Sequence, residues 1–547
     1  MDHALEAARE LIDRFWEGLL QTEPVLGTVV GDERFDDRLP DPSADGRAER
    51  DRLHRDALEE LAGIPRDLPD EDTRLSLDIL EAIARRDLAA LEHRTDRLWA
   101  VSHLWGPAGL IGELASLQRT DTPERVGRYV ARLSGTPAFY DAVVEVMREG
   151  VADGVTAPRI VVERAIGQTE RIIEAGVEGS PALAPLAGSD DGPRAEVAAA
   201  VQTHLLPALG RYLDGLRAYL PSATETLGLH ALPGGDAMYA AQVLSWTTLP
   251  LDAHEVHELG LADLAKIQEE RREAASALGF ADAEAAEAAL LGEVFASPEE
   301  LKSVAQDQVA RCWDAAPSMF GRLPSTNCEV RLVEPFREAD MPFAFYNPPT
   351  DNGSRPGVYY VNGHDIAGKP RHHLASTTYH EASPGHHFQI ALEQEFHDRP
   401  LLRRFGGFLA GSAFTEGWGL YSERLADEMD LFLDEKERLG MLDGQGMRAA
   451  RLVVDTGLHA LGWSRDRSIR TLVEAGMSLS DAEVETDRYV TMPGQALSYK
   501  IGQFEIERQR AAWAEREGAG FSLPGFHDRL LSLGSLPLAA LRRELER

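Results

Sequence analysis

The sequence predicts a mainly α, multi-helix fold with one small β-sheet beside an HExxPGHH helix and a deep central cleft. Three observations carry this expectation. Apolar residues recur at helical spacing through most of the 547 residues. Alternating aromatic and β-branched runs are confined to residues 328–362. The stretch Thr377 to Gln389 reads Thr-Thr-Tyr-His-Glu-Ala-Ser-Pro-Gly-His-His-Phe-Gln and gathers three histidines, a glutamate and a Pro-Gly pair. With 43% hydrophobic residues the chain can fill a large core. No internal repeat, low-complexity segment or long linker divides it, which predicts a single large helical unit over 1–547 in approximate halves 1–250 and 251–547.

Taken in order, the chain opens with an amphipathic helix in which Leu5, Ala8, Leu11, Ile12, Phe15, Trp16 and Leu19 share a face. The Gly/Pro/Asp-rich segment Glu23 to Gly46 reads as a connection. Helical spacing returns near 47–63, 71–93, 123–134, 137–149, 157–175 and 194–219, and Ser180 to Gly192 reads as an exposed loop. Trp99 to Leu117, with Trp105-Gly106-Pro107, has no clear period. Helices are expected at 236–246, 252–278, 282–292 and 298–315. In the second of these Leu259, Leu261, Leu264 and Ile267 form the expected buried stripe, and His254 and His257 read as first-turn residues without ligand spacing. Then the period changes. Cys328–Val333, Phe343–Tyr346 and Gly357–Asn362 alternate as strands, the last two separated by Asn347-Pro348-Pro349 and Asp351-Asn352-Gly353. An edge strand there could bind an extended peptide, and Tyr360 is expected to contact substrate. Helices resume at 372–396, 407–428, 434–460, 464–476, 481–491 and 494–516.

Composition removes several classes of function. A net charge of -35, from 56 basic and 91 acidic side chains, argues against a nucleic-acid partner, since phosphate binding needs basic patches. No apolar run approaches the roughly 18 residues that span a bilayer, so no membrane partner is expected. Met1 to Leu20 lacks a signal-peptide layout, and Cys312 and Cys328 form neither a disulfide framework nor a ligand cluster. A cytoplasmic soluble protein is expected.

His380-Glu381 followed by His386-His387 carries the chemistry. Imidazole nitrogen suits zinc, and a carboxylate beside the ion can act as general base. The short motif HExxH sets its histidines four apart on one helix face, whereas the gap from His380 to His386 is six. Six residues of regular helix turn through about 600°, leaving the rings roughly 120° apart. Pro384-Gly385 therefore predicts a helix whose turn swells by two residues, so that His380 and His386 converge. The competing reading is a helix–turn–helix with surface histidines. A third ligand is expected from Glu416, a carboxylate amid apolar and small residues, since burying it unpaired is costly. Glu423 lies seven residues on, along the same face, and is expected to orient a histidine or to contact substrate. The alternative for both carboxylates is a pair with Arg403 or Arg404.

The two motifs, His380-Glu381-Ala-Ser-Pro-Gly-His386-His387 and Glu416-Gly-Trp-Gly-Leu-Tyr421-Ser-Glu423, resemble the bacterial family labelled domain of unknown function 885. So do Gly-Asp-Glu-Arg-Phe from Gly31, the Tyr-Tyr-Val-Asn strand, and the run Pro493 to Lys500. The resemblance covers nearly the whole chain and implies a metallopeptidase-like architecture of the gluzincin type with one Zn2+ ion. The spread motif is also similar to that of dipeptidyl peptidase III. It departs by two residues from the HExxH of thimet-type peptidases and carboxypeptidase Taq, which leaves His386 and His387 both open as the second ligand.

The implied reaction is metal-assisted hydrolysis with Glu381 as general base. His459, Tyr489 and Tyr499 are candidate donors to the oxyanion, and Arg488 and Lys500 could hold a substrate carboxylate. The leading expectation is a zinc peptidase acting on short peptides in a cleft between helical halves. A zinc amidohydrolase on a non-peptide amide or specialised metabolite is the second. A metal-stabilised binding protein without turnover is the third, and Glu381 argues against it because a structural zinc needs no base.

Overall fold

The computed structural model describes residues 2–334, 338, 341–349 and 356–547. Among the described residues it is 71% helix with one three-stranded sheet. Among the described residues no helix is long and apolar enough to cross a membrane. The chain forms two compact units. The border falls after Ala241, and two late segments, Leu458–Ser464 and Glu485–Pro493, belong with the amino-terminal unit.

The first unit begins with the helix Asp2–Thr22, which buries Ala8, Leu11, Ile12, Phe15, Trp16, Leu19 and Leu20 against the helices Ala44–Ala62 and Glu71–Glu92. Ser43 and Asp70 cap those two helices, each side-chain oxygen accepting a backbone N–H of the first turn. The segment expected to be a plain connection contains a helix, Pro24–Val30, and a 3-10 turn, Glu33–Phe35. Its organiser is distant in sequence: the buried Arg132 guanidinium donates to Thr28 Oγ1, Phe35 O, Arg38 O and Gln118 Oε1. The expected loop at Ser180 to Gly192 is likewise corrected. Its 3-10 turn Pro181–Leu186 buries Ala182, Leu183 and Leu186, and Tyr129 Oη donates to Ala182 O at 3.0 Å. The expected helix over 194–219 is interrupted by a π turn, Val201–Leu205, just before Pro207, which lacks the N–H a regular helix would use.

In the second unit the sheet comprises β1 (Glu329–Leu332), β2 (Ala344–Asn347) and β3 (Val358–Val361), in the order β1-β3-β2. β3 runs parallel to β1, with Glu329 opposite Val358, and antiparallel to β2, with Ala344 opposite Val361. β3 is the central strand and buried on both faces. Tyr359 and Val361 pack with Leu301, Ala305 and Val309 of the helix Pro298–Ala315, while Val358 and Tyr360 pack with Val333. The turn expected at Asp351-Asn352-Gly353 lies outside the described residues.

The helix Ala253–Ala277 buries Val256, Gly260, Leu264, Ile267 and Arg271, whereas Leu259 and Leu261 are 41% and 42% exposed. The buried face is set by Gly260, where an added Cβ would stand 2.7 Å from Leu452 Cβ, so the stripe runs through the glycine and not through the leucines beside it. Closer still is the pair formed by the helices Ala413–Glu428 and Ser498–Glu517. A Cβ on Gly502 would fall 1.8 Å from Ala413 O, and one on Gly417 2.3 Å from the Gly502 carbonyl carbon. Backbone lies on backbone here, and this pair is the platform for the site.

Candidate metal centre

His380 is in the last turn of the helix Leu374–Glu381, and His386 is the first residue of the helix His386–Gln394. A single bulged helix over 372–396 was the expectation; the chain instead breaks and restarts. Ala382 (φ -101°, ψ -101°) and Gly385 (φ -77°, ψ -130°) leave helical geometry, and Pro384 between them has no N–H to continue the ladder. A Cβ on Gly385 would lie 1.8 Å from His380 O, so only glycine fits. The break is held from the neighbouring helix, where Trp418 Nε1 donates to Pro384 O at 2.9 Å and Ser422 Oγ to the same carbonyl at 3.3 Å.

The break brings the imidazoles together. Their centroids are 4.7 Å apart and the rings nearly perpendicular, at 82°. Nε2 of His380 and Nε2 of His386 each lie 3.6 Å from one atom, Glu416 Oε2. That is long for a hydrogen bond but close to the roughly 3.4 Å between two ligands of one tetrahedral ion with bonds of about 2.1 Å. Glu381 joins them: one ligand atom each from His380, Glu381 and His386 lie within 4.8 Å of one another. Arg403 and Arg404 are engaged elsewhere, with Leu533 O and Gln394 O, so they are not the partners of Glu416.

Electrostatics mark the same place. Burial opposes the charge on Glu416, yet His380 and His386 hold its carboxyl far below the usual carboxylate range. Burial also opposes a proton on His380, yet Glu416 and Glu423 pull it up to about 10. Carboxylates that hold a proton this firmly on an imidazole nitrogen offer the same position to a metal ion, which displaces the proton on binding.

Glu423 orients the ring from behind. Its Oε1 is 2.8 Å from His380 Nδ1, and its Oε2 accepts from Ser376 Oγ at 3.0 Å and Gln445 Nε2 at 3.1 Å. Burial works against its charge, but Arg448, His380 and Gln445 outweigh it and hold the carboxyl below its ordinary value. Gln445 Oε1 in turn accepts from Lys500 Nζ at 2.9 Å. Lys500 is 1% exposed and also paired with Asp263 at 2.9 Å, so the expected substrate-binding lysine is a buried support at the far end of this chain of bonds. Gly419 completes the seat, since a Cβ there would be 2.6 Å from His380 Cε1.

His387 faces away from this group. Its Nδ1 is 3.0 Å from Tyr346 Oη and its Nε2 2.9 Å from Thr326 O, and burial pushes its pKa down to about 4. A neutral ring donating from Nε2 and accepting at Nδ1 satisfies both contacts and leaves no lone pair for an ion. Tyr499 stacks on His380, with centroids 6.4 Å apart and planes at 28°, beneath the Arg451 guanidinium 4.5 Å from its ring. Tyr360, the expected substrate contact, is buried and stacked 5.0 Å from Phe345.

His459, Tyr489 and Arg488 belong to the first unit. His459 spends both ring nitrogens on backbone, accepting from Leu229 N at 3.2 Å and donating to Tyr489 O at 2.9 Å. Tyr489 Oη donates to Glu485 at 2.6 Å, and Arg488 pairs with the same glutamate at 3.2 Å. Ser376, Gln445 and Arg451 also belong to the group around His380, and no local spacing in the sequence gives a signal for them.

Two solved structures, each described as a "putative lipoprotein", are similar to the chain. That from Colwellia psychrerythraea has a TM-score of 0.91 at 26% identity, covering 99% of this chain and 98% of its own. That from Shewanella oneidensis, described as of unknown function, has a TM-score of 0.77 at 18% identity, covering 99% and 100%, and shows the fold alone. No curated protein matches the chain. The family described as bacterial protein of unknown function (DUF885) matches residues 24–545, nearly the full length, and the chain belongs to that family.

Proposed function

We propose that this chain is a zinc-dependent hydrolase that cleaves amide bonds of short peptides, with His380, His386 and Glu416 holding the ion and Glu381 as general base. One observation carries the reading: two imidazole nitrogens meet the same carboxylate oxygen at 3.6 Å, with a further carboxylate, Glu381, alongside. A set of two nitrogens and one oxygen fits zinc, and three protein donors leave one position open, as hydrolytic sites require.

When bound, zinc would acidify a water and polarise the scissile carbonyl. Glu381 takes a proton from the attacking water and delivers it to the leaving amine. Glu423 accepts from His380 Nδ1–H and thereby keeps Nε2 turned toward Glu416. Tyr499, in contact with both the His380 ring and the Arg451 guanidinium, donates to the developing oxyanion.

The test is Glu381→Gln, assayed with a peptide mixture beside a panel of non-peptide amides, with zinc measured in the same preparations. The variant is expected to keep its zinc and to lose about 10²- to 10⁴-fold in hydrolysis. Hydrolysis at the parent rate removes Glu381 as the base. Turnover of amides without turnover of peptides moves the substrate class while leaving the residue roles in place.

A further inference from the structure

A second group of ligand-type side chains sits where the helix Leu374–Glu381 begins. His372 and His373 close the 3-10 turn Arg371–His373; Glu287 comes from the helix Ala283–Leu290 and Asp443 from the helix Glu435–His459. One ligand atom from each of the four lies within 4.8 Å of all the others. His372 Nε2 is 3.7 Å from Glu287 Oε2 and 3.9 Å from Asp443 Oδ2. His373 Nε2 is 3.9 Å from Glu287 Oε1 and 3.5 Å from Asp443 Oδ2.

These atoms are buried and poorly satisfied. His372 is 3% exposed and Asp443 7%, and His372 Nε2, His373 Nε2, Glu287 Oε2 and Asp443 Oδ2 face one another at 3.5–3.9 Å with no well-formed hydrogen bond to any other group. Four such atoms facing one another are costly, because each has given up water for contacts of 3.5–3.9 Å, longer than ordinary hydrogen bonds. A single divalent cation would satisfy all of them together. The surroundings are built for it. Arg271 Nε donates to Asp443 Oδ1 at 2.6 Å and so fixes the carboxylate with Oδ2 toward the histidines. A Cβ on Gly440 would lie 2.0 Å from His372 O, so the helix rests directly on the turn and carries Asp443, one turn later, to the two rings.

We propose that Glu287, His372, His373 and Asp443 bind a second, zinc-type cation whose role is to pin the start of the helix that bears His380. Two imidazoles and two carboxylates suit zinc over the harder calcium and magnesium, and four protein donors close the coordination, as structural sites do. His373 precedes His380 by seven residues, about 10 Å along the helix, so the ion fixes the root of the element that aims His380 at Glu416. The two sites share no ligand, so this proposal stands or falls apart from the hydrolase reading.

The test counts zinc in the full-length protein after chelator stripping, reloading and dialysis. The parent, His386→Ala/Glu416→Ala and His372→Gln/Asp443→Asn are compared by mass spectrometry of the metal. The proposal expects about two equivalents in the parent and about one in each double variant. In the His386→Ala/Glu416→Ala protein, zinc should raise the melting temperature, and X-ray absorption of the residual ion should give two imidazoles among four N/O neighbours. That arm decides the matter even where the His372→Gln/Asp443→Asn protein fails to fold. Zinc-free His386→Ala/Glu416→Ala protein overturns the proposal and leaves the first site intact. One equivalent in the parent that survives in this variant overturns the first site and leaves the proposal standing.

Discussion

Replacing Gly419 by alanine adds one methyl group where the helix Ala413–Glu428 meets the His380 ring. The new Cβ would stand 2.6 Å from Cε1 and 2.7 Å from Nε2, so ring or helix must shift by about 0.8 Å to reach ordinary contact. Neither yields easily. The ring is buried and tied to Glu423 at 2.8 Å, and the helix is pressed backbone to backbone on Gly502 through Gly417. Helix propensity favours the variant by about 1 kcal/mol, while overpacking of this kind costs about 1–3 kcal/mol. The expected balance is a loss of about 1 kcal/mol in the metal-free protein. The larger effect falls on binding. A shift of about 0.8 Å is several times the tolerance of roughly 0.2 Å on a metal–ligand distance, so zinc affinity should drop by about 10- to 100-fold. Thermal melting with and without zinc, together with competition against a chromophoric chelator, reads both quantities. Gly127→Ala is the control: it lies on the exposed face of the helix Pro123–Ser134, with nothing within 4 Å of an added Cβ. It should gain up to about 1 kcal/mol and leave zinc affinity unchanged. If Gly419→Ala behaves like this control in both assays, the His380 ring is not seated against the helix and the reasoning fails.

Two further outcomes follow from the buried histidines. His387→Gln should retain the parent zinc content while losing about 1–3 kcal/mol of stability, because Tyr346 and Thr326 lose a partner; folded variant protein without zinc would make His387 the ligand in place of His386. His387, His459 and His527 are each held down to about 4 by burial, below the unfolded value near 6.5. The unfolded chain therefore binds the extra protons between those values. Stability is complete above about pH 6.5 and is lost as pH falls toward 4, by up to about 3 kcal/mol per histidine. Melting curves of His527→Gln and the parent should accordingly converge as pH falls from 6.5 to 4; parallel curves contradict it.

The meeting of His380, His386 and Glu416 was legible for physical reasons. Histidines six apart around Pro384-Gly385 can converge only if the helix is disturbed, and a carboxylate among small and apolar residues needs a partner. Whether the disturbance is a bulge or a break was not legible. It is decided by Trp418 and Ser422 binding Pro384 O from the next helix, and local composition permits either form. The choice between His386 and His387 rests on Tyr346 of β2 and on Thr326, again outside the motif. Lys500 read as a substrate contact because its partner, Asp263, is more than two hundred residues earlier in the chain. Leu259 and Leu261 read as buried by their apolar character, whereas a glycine face carries no such signal; Gly260 makes the contact.

The most direct measurement is anomalous diffraction from zinc-loaded crystals, collected above and below the zinc absorption edge. A peak at about 2.0–2.2 Å from His380 Nε2, His386 Nε2 and a Glu416 oxygen is the predicted result. Zinc-loaded crystals with no peak among these three side chains, whatever density they show elsewhere, contradict the assignment of the hydrolytic centre.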